Sequence, residues 1–287
     1  MTSFTERPPK LPGTRPAGTL NEREASVRVR EMFSSIAPRY DFLNHFLSFS
    51  LDRVWRLRTA RKFRRILRRT DARVLDVCCG TGDLTFALER VRVHEIRDRG
   101  AHRIPLFGSD FAQPMLERAH KKAEEHARSA VFSAGDALQL PFRDGCFDLV
   151  TTGFGFRNLV NYRNGLREIA RVLKPGGEVG ILEFSEPSAG PMAKLFRFYF
   201  QRILPRIGKL ISGGNEAYNY LPKSVTRFPS PEELGLLMQQ VGFVGITVTS
   251  WNFDSVILHI ARLPYAEAPI PAAASSVFEP QKPDLVE

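Results

Sequence analysis

Three short groups of residues have the chemistry that a nucleoside ligand needs. Each follows an apolar run: Gly80-Thr81-Gly82 follows residues 74–78, Asp110 follows a second run, and Gly135-Asp136-Ala137 follows a third. Glycine lets a ligand approach the backbone, a carboxylate accepts hydrogen bonds from ribose hydroxyls, and a backbone N–H beside a carboxylate can hold an adenine edge. We therefore predict one cofactor pocket built from six residues: Gly80, Thr81, Gly82, Asp110, Asp136 and Ala137.

The spacing of these groups separates the candidate nucleosides. A dinucleotide site uses the pattern G-x-G-x-x-G, whose third glycine allows close helix packing, but Thr85 occupies that third position here. Asp110 lies 28 residues beyond Gly82, rather than about 20, and we attribute the excess to a charged surface insertion at residues 91–103. S-adenosylmethionine, a nucleoside with a sulfonium group and no pyrophosphate, fits this pattern better than a dinucleotide.

The loop after the fourth apolar run, residues 151–158, would face the methyl group of that cofactor. It lacks the Asn/Asp-Pro-Pro-aromatic pattern that is typical of methylation at exocyclic amino groups of bases. None of the three cysteines is placed there for cysteine-based base methylation. Arg157 and Asn158 are candidates for hydrogen bonds to a phenolic oxygen, which would raise electron density on the adjacent ring carbon. The alternative is that both residues hold their own loop.

Strand-like and helix-like segments alternate along the chain, which is typical of an α/β sheet. Apolar runs predict five buried parallel strands, at residues 74–78, 104–108, 130–133, 147–152 and 179–184. A closing antiparallel hairpin is predicted at 244–249 and 255–261, and helices at 113–127 and 161–173, the latter stopped by a turn at 174–177. Proline-rich ends predict a disordered N-terminal tail at 1–25 and a disordered C-terminal tail at 264–287, around one domain at 26–263.

The charge of the chain is concentrated in one segment. The 287 residues include 41 basic and 31 acidic ones, a formal charge of +10, and residues 53–73 hold ten basic side chains and one acid, hence +9. Apolar residues recur there at helical spacing, which predicts one amphipathic helix with a basic outer face. That face is either merely solvated or the surface for an anionic partner. A second basic stretch, 194–209, is interleaved with aromatic residues and suits a membrane interface or an apolar substrate.

Composition sets the broad class of protein. With 43% hydrophobic and 25% charged residues, the chain is globular rather than disordered or coiled-coil. No apolar run approaches the roughly 18 residues of a membrane span, and the N-terminal segment lacks the apolar stretch of a signal peptide, so we expect a cytoplasmic protein. The cysteines form neither a disulfide framework nor a metal-ligand pattern, and no metal is expected.

Several motifs together resemble the ubiquinone/menaquinone biosynthesis C-methyltransferase family, over about residues 32–261. They are Tyr40-Asp41-Phe42-Leu43-Asn44, Arg53-Val54-Trp55, Phe154-Gly155-Phe156-Arg157-Asn158, Leu204-Pro205-Arg206-Ile207-Gly208, and Arg171-Val172-Leu173-Lys174-Pro175-Gly176-Gly177 continuing to Glu183-Phe184-Ser185. The chain departs from the family at Leu43, where methionine is usual, at Asp52, where histidine is usual, and at Gly153, where a serine contact to the cofactor is expected.

The resemblance implies a fold, a reaction and a set of site residues. The fold is that of a class I S-adenosylmethionine-dependent methyltransferase, Rossmann-like, with a seven-stranded and mostly parallel sheet. The reaction is methyl transfer to a ring carbon of a polyprenylated quinol, for which Arg157, Asn158 and Tyr40 are the candidate catalytic residues. Cofactor contacts carry over to Thr81, Asp110, Asp136 and Ala137, and Tyr40 would lie on an N-terminal helical lid. Phe196, Tyr199 and Phe200 would line the path of the polyprenyl tail.

The substrate we expect is demethylmenaquinol, in menaquinone biosynthesis, with the equivalent benzoquinol of ubiquinone biosynthesis as the alternative. A nucleic-acid methyltransferase, motivated by charge alone, and a non-catalytic module that binds the cofactor are the alternatives from other classes. As partners we expect the quinol and transient contact with an anionic membrane surface, on the inner face of the cytoplasmic membrane, and no nucleic acid. Assembly into a homo-oligomer is left open.

Overall fold

The computed structural model describes residues 13–96, 103–187, 198, 220 and 224–265. Its strands are β1 (Val74–Val77), β2 (Phe107–Asp110), β3 (Val131–Ala134), β4 (Phe147–Gly153), β5 (Leu173–Phe184), β6 (Val244–Trp251) and β7 (Val256–Arg262). They form one sheet in the order β3-β2-β1-β4-β5-β7-β6, in which β1 to β5 pair in parallel and β7 is antiparallel to β5 and β6. The predicted seven-stranded, mostly parallel sheet with a closing antiparallel hairpin is confirmed.

Helices cover both faces of this sheet. They are α1 (Glu22–Ile36), α2 (Tyr40–Leu47), α3 (Leu51–Lys62), α4 (Arg64–Leu67), α5 (Asp83–Glu95), α6 (Gln113–Glu125), α7 (Tyr162–Val172) and α8 (Pro231–Val241). Successive residues of a strand point to opposite faces, so Val74 packs in the cluster of α3, α4 and α5, while Leu75 packs in the cluster of α7 and α8. These two core clusters hold the parallel strands in place on both faces of the sheet. They thereby fix the positions of the loops that follow the strands.

Local signals explain where several helices begin and end. At α8, the Ser230 side chain accepts from the Glu233 N–H and the Glu233 side chain accepts from the Ser230 N–H, a complete capping box. Gly242, with φ of 105°, ends that helix in the left-handed region that glycine enters at low cost. At α7 the Asn161 side chain accepts from the Asn164 N–H.

We predicted one helix for the basic segment 53–73, but the structure has two helices there. α3 ends at Lys62 and α4 begins at Arg64, with Phe63 between them at φ −97° and ψ 12°. Phe63 is buried beside Gly180 of β5, where an added Cβ would lie 2.5 Å from the Phe63 ring. At this break the large Phe63 side chain packs onto β5 at Gly180, where the absence of a side chain leaves room for its ring.

Four further expectations need local correction. The second strand begins at Phe107 rather than at residue 104, and β3 is an edge strand whose Val131 is exposed rather than buried. Residues 174–177 form an irregularity inside β5 rather than a turn before it, because Leu173 already pairs with Phe147. Residues 91–95 of the expected surface insertion are the last turn of α5.

The N-terminal tail expected at 1–25 contains ordered structure. Asn21 caps α1, which begins at Glu22, and its side chain accepts from the Glu24 N–H. Ahead of it, Gly13 and Thr14 lie against the loop after β4: the Thr14 N–H donates to the Leu159 carbonyl at 2.8 Å, and Thr14 is buried. Proline content signalled a tail, but these residues are a packed arm.

Some expectations fall outside the described residues. These are the second basic stretch at 194–209 apart from Phe198, the aromatic residues Phe196, Tyr199 and Phe200, the motif 204–208, the centre of the insertion at 97–102, and the C-terminal tail beyond residue 265. Within the described part of the chain, no helix combines the length and the apolar character that a membrane crossing requires.

Candidate active site

A cavity opens at the carboxyl ends of β1, β2, β3 and β4. It encloses about 650 Å³ when the space at its open mouth is counted. Six of the nine predicted site residues line it together: Tyr40, Gly80, Asp110, Asp136, Ala137 and Asn158. Apolar side chains complete the wall: Phe33, Phe111, Met115, Leu138, Phe154 and Leu159. Three sequence-distant strand ends therefore do meet in one place.

Asp110 is held rigidly at the end of β2. One carboxylate oxygen accepts from the Gly80 N–H and the other from the Ala112 N–H, both at 2.9 Å. Burial raises the pKa of Asp110, and hydrogen bonds from the Ala112 and Gly80 N–H groups oppose this shift. Each carboxylate oxygen keeps a second lone pair, so the group can still accept hydrogen bonds from a pair of vicinal hydroxyls.

Thr81 and Gly82 shape the turn between β1 and α5 without lining the cavity. The Thr81 hydroxyl donates to Asp41 of α2 and accepts from Lys122 of α6 at 3.1 Å. Gly82 has φ of 86°, and a Cβ there would lie 2.9 Å from the rings of Phe86 and Phe132. In this structure Thr81 therefore joins the cofactor turn to α2, while Gly82 meets both the backbone and the packing requirement for glycine.

Asp136 and Ala137 form a tight turn after β3. The Asp136 carboxylate accepts from the Leu138 N–H, and its carbonyl accepts from the Gln139 N–H, both at 2.9 Å. Ala137 is buried against the core cluster of β1 and β4. The turn fixes the Asp136 carboxylate, and Asp136 lines the cavity.

Arg157 and Asn158 share a 3-10 turn after β4 but differ in role. The Arg157 guanidinium pairs with buried Glu183 of β5, Nη1 to Oε2 at 2.7 Å, and also donates to the Phe154 carbonyl. Burial would lower the pKa of Arg157, but Glu183 outweighs it and raises that pKa. Arg157 does not line the cavity, so its observed contacts are those of a residue that holds its own loop.

Asn158, in contrast, lines the cavity with an unsatisfied acceptor. Its Oδ1 atom is buried and has no hydrogen-bond partner among the described residues. An unpaired buried carbonyl costs about 1–3 kcal/mol of free energy unless a ligand satisfies it. Asn158 thus combines a place in the cavity wall with a buried acceptor that no described residue satisfies.

Tyr40 begins α2 and lines the same cavity from the lid side. Burial raises the pKa of its phenol, while Arg56, Asn44 and Arg157 lower it by smaller amounts. The hydroxyl is therefore neutral near pH 7 and is a hydrogen-bond donor as well as an acceptor. Phe33 of α1 packs edge-on against the Tyr40 ring, with centroids 6.3 Å apart.

Gly153 stands where the family has a serine that contacts the cofactor, so we expected that contact to be missing here. The space beside Gly153 is filled. A Cβ added at Gly153 would lie 2.9 Å from Cδ2 of Leu84, the second residue of α5. Leu84 belongs to the core cluster of α3 and α5. The serine hydroxyl is absent here, and the apolar Leu84 side chain of the neighbouring helix occupies the space beside Gly153 instead.

An ion cluster joins α2 and α3 to the cofactor turn. The ligating atoms of His45, Asp52 and Asp83 all lie within 4.8 Å of one another, the separation that a metal site would have. Two cations already occupy this position, since Arg56 contacts Asp52 and lies 3.6 Å from Asp83, and Lys122 also pairs with Asp83. Burial alone would raise the pKa of Asp83, but these cations outweigh it and lower the pKa. The cluster is an internal ion-pair network.

Some wall residues had no signal in the sequence. Phe33, Ser26 and Met115 line the cavity from α1 and α6, where helical residues look like ordinary core. Glu183 was visible only as part of a family motif, and its pairing with Arg157 needs the β4–β5 neighbourhood that only the sheet order supplies.

Solved structures define the class of protein to which this fold and site belong. The chain is similar to an S-adenosylmethionine-dependent methyltransferase from Thermotoga maritima, with a TM-score of 0.56 and 18% identity, over 82% of this chain and 99% of that one. At this identity the likeness shows the fold alone. The fold is that of an S-adenosylmethionine-dependent methyltransferase, as predicted.

Sequence comparison then identifies the family. Residues 20–262 match the ubiE/COQ5 methyltransferase family, and the chain belongs to it. A demethylmenaquinone methyltransferase of Deinococcus radiodurans is 47% identical over 223 residues, which are 78% of this chain and 88% of that protein. One of Thermus thermophilus is 45% identical over 233 residues, 81% of this chain and all of that protein. The predicted family is confirmed, and with it an S-adenosylmethionine-dependent enzyme.

Proposed function

We propose that the protein methylates a ring carbon of demethylmenaquinol, giving menaquinol in menaquinone biosynthesis. The observation that carries the proposal is the buried, unpartnered Oδ1 atom of Asn158, a residue that lines the same cavity as Asp110 and Asp136. Relatives at 45–47% identity are named for this reaction. The equivalent benzoquinol reaction is not favoured, because these relatives are not named for it.

The residues present fit S-adenosylmethionine. We propose that Asp110 accepts from the ribose hydroxyls, that Asp136 and the Ala137 N–H hold the adenine edge, and that Gly80 leaves room beside them. Among the described residues, only Tyr40, at 3.8 Å, lies within 4 Å of a Cβ built at Gly80, which leaves space there for a ligand. Thr81 and Gly82 would act through the turn that they shape. When bound, S-adenosylmethionine supplies an electrophilic methyl group.

Asn158 and Tyr40 are proposed to act on the quinol ring. The Asn158 Oδ1 atom would accept the hydrogen bond of a ring hydroxyl, which raises electron density on the neighbouring carbon. Tyr40 would donate to the same part of the ring from the lid. Arg157 is proposed to work through its hold on the loop, keeping Asn158 within the small tolerance that an aligned reaction demands.

The substrate partner is the quinol. A polyprenyl quinol lives in the bilayer, so we propose a cytoplasmic protein with transient contact to an anionic membrane surface. A second copy of the chain as partner stays a prediction.

The test is a competition between two acceptors. We incubate purified protein with S-adenosylmethionine and equal amounts of demethylated naphthoquinol and benzoquinol, both dispersed in detergent. The products are analysed by mass spectrometry. Methylation of the naphthoquinol in excess supports the proposal. Excess benzoquinol product would move the function to ubiquinone biosynthesis, and methyl incorporation into added RNA alone would make the protein a nucleic-acid methyltransferase.

A further inference from the structure

The outer stripe of α3 changes character along the helix. Four residues recur there at a spacing of three or four: Leu51, Val54, Arg58 and Arg61. Leu51 is 39% and Val54 is 42% exposed, and both arginines are exposed. The opposite side of the helix is buried through Trp55 and Thr59. The helix therefore presents an apolar end and then a basic end to solvent.

The turn between β6 and β7 extends the apolar end. The Trp55 Nε1–H donates to the Asn252 Oδ1 atom at 2.9 Å, which ties this turn to α3. Phe253 at the turn is 68% exposed, and φ is 51°, 57° and 63° at residues 252–254. A bulky residue rarely adopts such angles, so the fold holds Phe253 outward against a backbone preference. Phe49, just before α3, is 79% exposed. We define Phe49, Leu51, Val54 and Phe253 as the apolar tip.

The basic end continues onto α4 and α5. We define the basic band as Arg58, Arg61, Lys62, Arg64, Arg68 and Arg90. No acidic side chain lies within ion-pair distance of any of them in the described part of the chain. Arg61, Arg64 and Arg90 line one groove between α3 and α5, over Leu57 and Val91, with His94 and Glu95 completing the wall. Positive charge is thus left uncompensated over an extended surface.

The apolar tip lies at the same end of the molecule as the cavity. The Trp55 ring packs 6.1 Å from the ring of Phe154, which lines the cavity. On the other side, α2 begins with Tyr40 in the cavity wall and runs toward Phe49. A surface that meets the tip also meets the neighbourhood of the site.

We propose that the apolar tip and the basic band together dock the protein on a bilayer that contains anionic lipid. The tip enters the boundary between headgroups and acyl chains, and the band lies on the lipid phosphates. The functional reason for this docking rests on the proposed quinol substrate. The attraction between the protein surface and the lipid does not. A nucleic acid accounts for the band but not for the exposed aliphatic side chains Leu51 and Val54 of the tip, which offer no ring on which a base can stack.

Vesicle binding by the full chain tests the proposal. Vesicles of phosphatidylcholine, with and without phosphatidylglycerol, are sedimented with wild type and with Arg58→Gln/Arg61→Gln. We expect tighter binding to the anionic vesicles, and about 25-fold weaker binding by the double variant, at roughly fivefold for each charge removed. The matched control is Arg163→Gln/Arg167→Gln on α7, which removes equal charge from the opposite face of the sheet and should bind like wild type. Phe253→Ser should weaken binding, and its control Leu236→Ser, also exposed but on α8, should not.

Turnover separates failure of docking from failure of the proposed function. The band and tip variants should methylate detergent-dispersed demethylmenaquinol like wild type and lose rate only on vesicle-embedded quinol. Equal wild-type binding to both vesicle types, or unchanged binding by the double variant, would overturn docking while leaving the function intact. Tighter binding to duplex RNA than to anionic vesicles would overturn it in favour of nucleic acid. Absence of turnover in detergent would instead count against the function.

Discussion

Arg157 and Glu183 are joined by two hydrogen bonds, from Nη1 to Oε2 at 2.7 Å and from the Arg157 backbone N–H to Oε1 at 3.0 Å. Both side chains are buried, at 6% and 1% exposure. The pair links the loop after β4 to β5 and so fixes where Asn158, the next residue, enters the cavity. The chemistry of the wall therefore depends on a contact that lies outside it.

Removing one partner of this pair tests that dependence. Glu183→Gln should leave the Arg157 charge uncompensated and lower the free energy of unfolding by about 3–5 kcal/mol. The turnover number should fall about 100-fold, as expected for a loosened catalytic loop, while calorimetry gives unchanged S-adenosylmethionine binding. Glu178→Gln, on the same strand and paired only with exposed Arg65, is the control. Full turnover in Glu183→Gln would contradict the positioning role.

The Asp110 carboxylate should dominate cofactor affinity. Asp110→Asn loses one of two oxygen acceptors that also hold the Gly80 and Ala112 N–H groups. Hydrogen bonds to a charged group contribute about 1.5–3 kcal/mol, so the dissociation constant for S-adenosylmethionine should rise about 10- to 100-fold in calorimetry. Asp144→Asn, an exposed partner of Arg171, should bind normally. An unchanged constant in Asp110→Asn would place the ribose elsewhere.

Stability should depend on pH through Asp76. Burial raises the pKa of this β1 carboxyl to about 7, against smaller opposing effects of hydrogen bonds from Thr85 and Thr151. Between about pH 4 and 7 the folded state keeps a proton that the unfolded state releases, so the free energy of unfolding falls as pH rises. Relative to Asp76→Asn, which does not titrate, wild type should lose about 3 kcal/mol from pH 5 to 8. If the free energy of unfolding changed with pH equally in wild type and in Asp76→Asn, the raised pKa of Asp76 would be refuted.

The N-terminal arm should depend on a glycine. A Cβ at Gly13 would lie 2.1 Å from the Val160 carbonyl carbon, and Val160 lines the cavity. Gly13→Ala should therefore lift the arm, break the Thr14 to Leu159 hydrogen bond and accelerate hydrogen exchange of the Thr14 N–H several-fold. Gly235→Ala, where the nearest atom is 3.9 Å away, is the matched control. Equal exchange rates of the Thr14 N–H in wild type and Gly13→Ala would show that the contact does not hold the arm.

The site residues that could be predicted from the sequence are those at strand ends. Asp110 and Asp136 follow apolar runs, and parallel strands bring such ends together whatever the loops between them do. The break at Phe63 was not predictable, because it depends on the space beside Gly180 on a strand more than a hundred residues away. Gly13 and Thr14 were missed for a similar reason, since a proline-rich segment shows no periodicity and its order comes from contacts with distant residues, among them Leu159 and Tyr220.

The most direct test of the central claim is the fate of a labelled methyl group. Purified full-length protein is given demethylmenaquinol in detergent and S-adenosylmethionine whose methyl group carries three deuterium atoms, and the product is analysed by mass spectrometry and NMR. We predict menaquinol with all three deuterium atoms in a methyl group on the ring carbon. A deuterated methoxy group, or recovery of the quinol without label, would contradict the account.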